Sequence, residues 1–314
     1  MLIAINGERK RNLRMLFIFI FTIAIFYFLF TKISFSSVVE ILLSANPFAI
    51  TISLLLVIPV VGISGKRWQI ILNSMTYDLS YKYCLRIIIA SIPFSMITPA
   101  KAGDVVRAYF LRDKIPMTIT IGGVLSERLI DLLILLIFAI TGLIFYQSSD
   151  ILFLLCIILV GCGVLIIVLL RSHSLPVRES WRENIQNLSL SLKILIKSPK
   201  NFSQIVFFSI MMWILSLIQV SIFFIAVGID VPFLFVVGGI SLAILIGMIP
   251  VSLGGMGTRD TAIIVLFSSY APPDKLLCVG ILFSLIRYWI PGIIGLLLVY
   301  GMPVLKNEYL SIDE

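Results

Sequence analysis

Long apolar runs alternate along the chain with short polar knots. Runs near 15–31, 47–64, 118–146, 151–170, 202–227 and 276–301 approach the ~20 residues that cross a bilayer as helix. The shorter ones rely on flanking residues or local thinning. Two further runs break that pattern. Segment 84–98 would rise only ~22 Å as helix against ~30 Å of hydrocarbon, and Pro93 interrupts it by removing a backbone donor. Segment 231–249 runs into IPVSLGGMGTRD at 249–260, then into a short apolar piece at 261–270 that covers ~15 Å and cannot cross alone. The pattern predicts an all-α polytopic membrane protein with about six full transmembrane helices and two re-entrant or broken hairpins. Eight plain spans is the rival topology, since 231–249 is long enough to cross by itself.

Composition agrees and adds an orientation. The chain is 60% hydrophobic and 13% charged over 314 residues, where a soluble domain carries about 25% charge. Its longest segment able to stand in water, 171–201, is too short for a catalytic domain with its own core, so 1–314 reads as one integral-membrane domain. The net charge of +8 comes from basic residues between the apolar runs, a positive-inside pattern rather than a nucleic-acid surface. Clusters at Arg9–Arg14, at Lys66, Arg67, Lys82 and Arg86, at Lys101–Lys114 and within 171–201 hold most of the Lys and Arg. Placing all four in the cytoplasm of a cell-membrane protein puts the N-terminus there, and with the C-terminus cytoplasmic as well, 231–270 forms the second broken hairpin, entered from outside. That placement also makes 171–201 a cytoplasmic loop joining halves of about 1–146 and 202–301, and forces 84–98 to enter and leave on one side. The first apolar run lacks an A-x-A-type cleavage site and exceeds a signal-peptide core, so a retained helix is expected. The four cysteines lie in or beside apolar runs without metal spacing, and His173 stands alone. No metal, cofactor or catalytic constellation is expected.

The candidate chemistry sits at the breaks. In PAKAGDVVR (99–107), Gly103 and Asp104 suggest a tight turn opening a helix, with Asp104 capping its first amides and Arg107 facing an anion such as a lipid phosphate. Glu127 and Asp131, four apart on one helix face beside Arg128, are suited to orient Arg107 or Arg128. In the second break Gly254, Gly255 and Gly257 allow an anion nest of backbone amides, and Arg259-Asp260 follows. Arg287 falls near the middle of the last apolar run, where an unpaired arginine costs at least ~2.5 kcal/mol. It is expected to face the bundle interior and to meet a carboxylate (Asp260, Glu127 or Asp131) or a substrate. Pro99 and Gly103 are echoed by Pro250 and Gly254 at the same separation, as a possible inverted repeat would show. Trp68, Tyr81, Tyr83 and Tyr288-Trp289 read mostly as interface aromatics, with a kink possible at Trp289, Pro291 and Gly292.

GKRWQIIL (65–72), PAKAGDVVRAYFLR (99–112), SERLIDLL (126–133), IPVSLGGMGTRDTA (249–262) and LIRYWIPGIIGLLL (285–298), in that order, resemble the flippase-like transmembrane domain of lysylphosphatidylglycerol synthases. That domain also occurs as a stand-alone membrane protein and beside archaeal glycosyltransferases. Against the family pattern P-x-R-A-G-D-x-x-R, Lys101 stands for the arginine; against G-x-G-x-R-E, Asp260 stands for the glutamate. The resemblance implies movement of a lipid between leaflets, without the soluble domain that makes the aminoacylated lipid in bifunctional members. It implies a membrane lipid with a phosphate headgroup as partner: an anionic or aminoacylated phospholipid, or a polyprenyl-phosphate-linked sugar. The alternatives are a secondary transporter of a small anion and a membrane scaffold for a lipid- or glycan-synthesis enzyme.

Overall fold

The computed structural model describes residues 2–99, 101–144, 154–164 and 179–300, and these are helices joined by turns. Helix α1 (Leu2–Lys32) meets α2 (Phe35–Ser44) at an 88° bend, where the Ser34 hydroxyl caps α2 by accepting from the Ser37 amide. Asn46 caps α3 (Pro47–Leu55) by accepting from the amides of Phe48 and Ala49, and Pro47 occupies the first turn, where its missing donor is no loss. Helix α3 continues into α4 (Val57–Ser74) as one 28-residue apolar helix. After α5 (Tyr81–Met96) come a short turn of 3-10 helix (Ala102–Val105), α6 (Val106–Phe110) and α7 (Met117–Ile144). Then follow α8 (Leu154–Val164), α9 (Glu179–Lys197), α10 (Pro199–Ala226), α11 (Phe233–Gly247) and α12 (Thr258–Leu266). The last long helix comprises α13 (Pro273–Ser284), a π-helical turn (Leu285–Trp289) and α14 (Ile290–Tyr300).

Helices Pro47–Ser74, Pro199–Ala226 and Pro273–Tyr300 are long and apolar enough to cross a bilayer, and the bent pair Phe17–Lys32 and Phe35–Ser44 is so only when its two helices are counted together. Helix α7 is equally long, 28 residues, but carries Glu127, Arg128 and Asp131. Outward positions such as Phe48, Ile58, Phe207, Ile294 and Leu297 are exposed and apolar, as a hydrocarbon-facing surface requires. Two features differ from the sequence reading. Segment 171–201 is not simply a loop: α9 occupies most of it, packs on α7 and buries Leu192 and Leu195, while 171–178, with His173, lies outside the described residues. Pro93 does not end its helix either. Helix α5 runs through it to Met96, and the Ile89 carbonyl that Pro93 cannot serve abuts Gly295 of α14, where a Cβ would lie 2.4 Å from that oxygen. The chain breaks just beyond, at 97–101.

The short helices α5 and α11 each stop at such a break, and the breaks meet. Pro99 and Leu253 form an isolated antiparallel bridge, and the Gly254 amide donates to the Thr98 carbonyl at 3.3 Å. Helix α5 packs along α14, and α11 along α7, so each short helix leans on the long helix of the other half. Gly142 of α7 and Gly238 of α11 permit the second contact: a Cβ on Gly142 would fall 2.3 Å from the Gly238 backbone. Cysteines placed at Pro99 and Leu253, with the four native cysteines replaced by alanine, are expected to form an intramolecular disulfide on mild oxidation. A gel-shift readout showing no such product would mean the two breaks do not touch.

Candidate functional site

Three arginines and three carboxylates interlock where α4, α5, α6, α7 and α10 converge. Arg67 of α4 is 2% exposed; its Nη1 donates to Asp131 Oδ1 at 2.6 Å and to Ser209 Oγ at 2.9 Å, and its Nη2 to Glu127 Oε1 at 2.5 Å. Arg107 of α6 donates through Nη1 to Glu127 Oε2 at 2.8 Å, through Nη2 to Asp104 Oδ1 at 3.3 Å and through Nε to Ser91 Oγ at 3.3 Å. Arg128 reaches Asp104 Oδ2 and, at 3.5 Å, Asp131 Oδ2. Ser95 donates to Asp104, and Trp213 Nε1 to Asp131 Oδ1 at 3.0 Å. The i, i+4 spacing of Glu127 and Asp131 puts both on the inward face of α7, so that Arg67 can grip the two together. Removing charge from water costs several kcal/mol per ion, and mutual neutralisation with dense hydrogen bonding offsets that cost.

A second pair lies behind the second break. Arg259 donates to Asp260 Oδ1 through Nε at 3.0 Å and Nη2 at 2.7 Å, and to Ser284 Oγ at 2.6 Å; its guanidinium stacks 4.1 Å from the Phe283 ring. Asp260 also accepts from the Gly257 amide at 3.0 Å, which starts α12.

Two cations stand apart from both groups. Lys101, in the left-handed backbone region at φ +56°, places Nζ 4.8 Å from the centre of the Tyr288 ring. Arg287, on the π-helical turn, donates from Nη1 to Gln219 Oε1 at 3.1 Å and to the Ser216 carbonyl at 3.4 Å. Its Nε is buried without a hydrogen-bond partner. Neither cation forms an ion pair with a carboxylate among the described residues. The first cluster and these two cations surround a cavity of about 130 Å³ whose walls include Arg67, Lys101, Asp104, Arg107, Gly254, Arg287 and Tyr288, while Arg259 and Asp260 lie outside its lining.

The sequence-predicted residues are thus largely brought together, but several act differently. Asp104 is no helix cap: it lies inside the short 3-10 turn, and its carboxylate serves Ser95, Arg107 and Arg128, because guanidinium donors outcompete neutral amides. Arg107 lines the cavity, but its guanidinium is buried and already paired with Glu127 and Asp104 beside Trp68. The glycine run forms no open nest. The Gly254, Met256 and Gly257 amides go to Thr98, Leu253 and Asp260, although Gly254, Gly255 and Gly257 do take positive φ. Arg287 turns inward but finds Gln219 rather than a carboxylate, and Asp260 pairs with Arg259. Trp68 is fully buried and Tyr288 lines the cavity, so neither is an interface aromatic, whereas Trp289 is half-exposed. Arg67 is the site residue that the sequence reading counted as loop charge. Its signal was its place inside GKRWQIIL, where α4 continues ten residues past the apolar run. Among the described residues no group of His, Cys, Asp and Glu is arranged to hold a metal.

The fold and site together define a helical integral-membrane protein with a charged, largely buried chamber at the meeting point of two chain breaks. The family model described as the lysylphosphatidylglycerol synthase TM region matches residues 14–295, and the chain belongs to that family. A UPF0104 membrane protein of Methanocaldococcus jannaschii is 24% identical over 95% of this chain and 96% of its own length. UPF0104 membrane proteins of Methanothermobacter thermautotrophicus and Pyrococcus horikoshii are 24% and 20% identical, over 82% and 88% of this chain and 86% and 92% of theirs.

Proposed function

We propose that this protein is a non-enzymatic lipid translocase, which takes a phosphate-bearing headgroup into the chamber while the hydrocarbon tail stays outside. The observation that carries the reading is a polar cavity with an apolar groove beside it. An apolar groove of about 340 Å³, lined by Val57, Ile58, Leu85, Ile89 and Ile294, shares Val61 with the charged cavity. A headgroup in one and a chain in the other fit a lipid. A carrier of a soluble anion needs a chamber sealed on that side, and a scaffold needs no charge at this depth. Enzymatic chemistry has little to work with, because arginines already engage the site carboxylates.

In this reading α5 and α11 are re-entrant from opposite faces of the cell membrane, with both termini cytoplasmic. Their crossed packing on α14 and α7 supports an inverted repeat whose halves rock about the chamber. A lipid- or glycan-synthesis enzyme would then supply or consume the cargo as a partner.

Purified protein in vesicles should accelerate transbilayer movement of a fluorescent lipid with a phosphate headgroup, read by quencher access. Arg287→Gln is expected to slow it at least ~10-fold, since one charged contact is worth ~1.4 kcal/mol or more. Arg259→Ala should abolish it, with folding checked separately because Asp260 loses its partner. Uptake of a soluble anion by wild type, without lipid movement, would overturn the reading.

A further inference from the structure

The cavity wall carries five cations, Arg67, Lys101, Arg107, Arg128 and Arg287, against three carboxylates, Asp104, Glu127 and Asp131. Each carboxylate oxygen already has a donor. Glu127 receives Arg67 on Oε1 and Arg107 on Oε2, Asp131 receives Arg67 on both oxygens with Trp213 and Arg128, and Asp104 receives Ser95, Arg107 and Arg128. Every carboxylate on the cavity wall is thus already ion-paired with arginine. That wall has an excess of two positive charges, and these are the two residues outside every ion pair. Lys101 arrives from the first break and Arg287 from the π-helical turn. Both line the cavity with Tyr288, and the Arg287 Nε is a buried donor with nothing to bond. Arg287 holds its place through the neutral Gln219, which steers the guanidinium without cancelling its charge.

We propose that Lys101 and Arg287, which line the cavity with Tyr288, form the seat of a terminal phosphate monoester, and that the transported lipid bears that headgroup with no amino group. A monoester carries about −1.5 to −2 charge at neutral pH, matching the excess, whereas a phosphodiester carries only one. An aminoacylated headgroup would bring an ammonium into a chamber that has positive charge to spare and no free carboxylate. The proposal rests on the translocase reading for the tail but not for the headgroup.

Equilibrium binding to the full-length protein in detergent separates the two. The probes are short-chain phosphatidic acid, phosphatidylglycerol and lysylphosphatidylglycerol with matched tails, and inorganic phosphate. Phosphatidic acid is expected to bind at least ~10-fold tighter than either of the other lipids. Lys101→Gln and Arg287→Gln should each reduce its affinity ~10-fold and shrink its advantage over phosphatidylglycerol, while Arg287→Lys restores part of the loss. Thermal unfolding of each variant confirms that the fold is kept. Binding of lysylphosphatidylglycerol as tight as that of phosphatidic acid would overturn the seat, as would an unchanged preference in the double glutamine variant. Movement of lysylphosphatidylglycerol in vesicles alongside such a result would leave the translocase reading standing. Conversely, inorganic phosphate binding as tightly as phosphatidic acid, with loss in both variants, would uphold the seat and overturn the lipid reading.

Discussion

Arg67→Ala is expected to destabilise the protein more than any other side-chain truncation at the site, by about 3–5 kcal/mol, the range seen when one partner of a buried ion pair is removed. The reason is topological as well as electrostatic. Arg67 alone bridges Glu127 and Asp131 and extends to Ser209 of α10, so it ties α4 to α7 and α10 in one residue. Its loss leaves two carboxylates in the interior competing for Arg107 and Arg128, which are already committed to Asp104. Thermal unfolding in detergent should show a large drop and a poor monodisperse yield. Arg67→Lys should fall between, since one ammonium cannot reproduce the two-pronged geometry. Adding Asp131→Asn to Arg67→Ala should recover part of the loss by removing one uncompensated charge. An unfolding temperature equal to wild type for Arg67→Ala would show that the ladder of charges does not hold these helices together.

How far the sequence disclosed this arrangement depends on the range of the interaction concerned. Apolar run length located the long apolar helices Pro47–Ser74, Pro199–Ala226 and Pro273–Tyr300, because the bilayer imposes one scale on them, but it passed over α9 inside the segment read as a loop. It also exposed Glu127, Asp131 and Arg287, since a charge inside an apolar run has few reasons to be there. Length fails where a helix outlasts its apolar stretch. The run at 47–64 gave no hint that α4 continues to Ser74, so Lys66 and Arg67 read together as loop charge although Arg67 is buried. Local rules failed at Asp104 for a different reason. A carboxylate after a glycine is normally matched with nearby amides, but Arg128, 24 residues later in sequence, is a stronger partner once α7 packs beside the turn. The same competition emptied the expected glycine nest, whose amides meet Thr98 across the gap and Asp260 within α12. Pairing between distant elements is the part no local pattern encodes.

That pairing makes Gly254→Ala the small-residue change at the second break expected to part it from the first. Gly254 sits at φ +55°, a conformation costing an alanine roughly 1 kcal/mol, and a Cβ there would lie 2.5 Å from the Met96 carbonyl oxygen. Backbone must give way, and the Met96 segment is the end of α5, so the two breaks separate. Gly257→Ala is also strained, at φ +89°, but its nearest neighbour is the Ile25 side chain at 3.1 Å, which can rotate away. Gly103→Ala meets the Phe94 carbonyl oxygen at 2.1 Å, yet that clash lies within the first half and dislodges its turn from α5. The three variants should therefore part company in the cysteine-pair background. Gly254→Ala should lower the Pro99→Cys/Leu253→Cys disulfide yield several-fold and weaken phosphatidic acid binding, because Gly254 lines the chamber beside Lys101, which follows directly on the first break. Gly257→Ala should cross-link nearly as well as its parent. Equal cross-linking in Gly254→Ala and its parent, with ligand binding intact, would show that the chamber does not depend on contact between the two breaks.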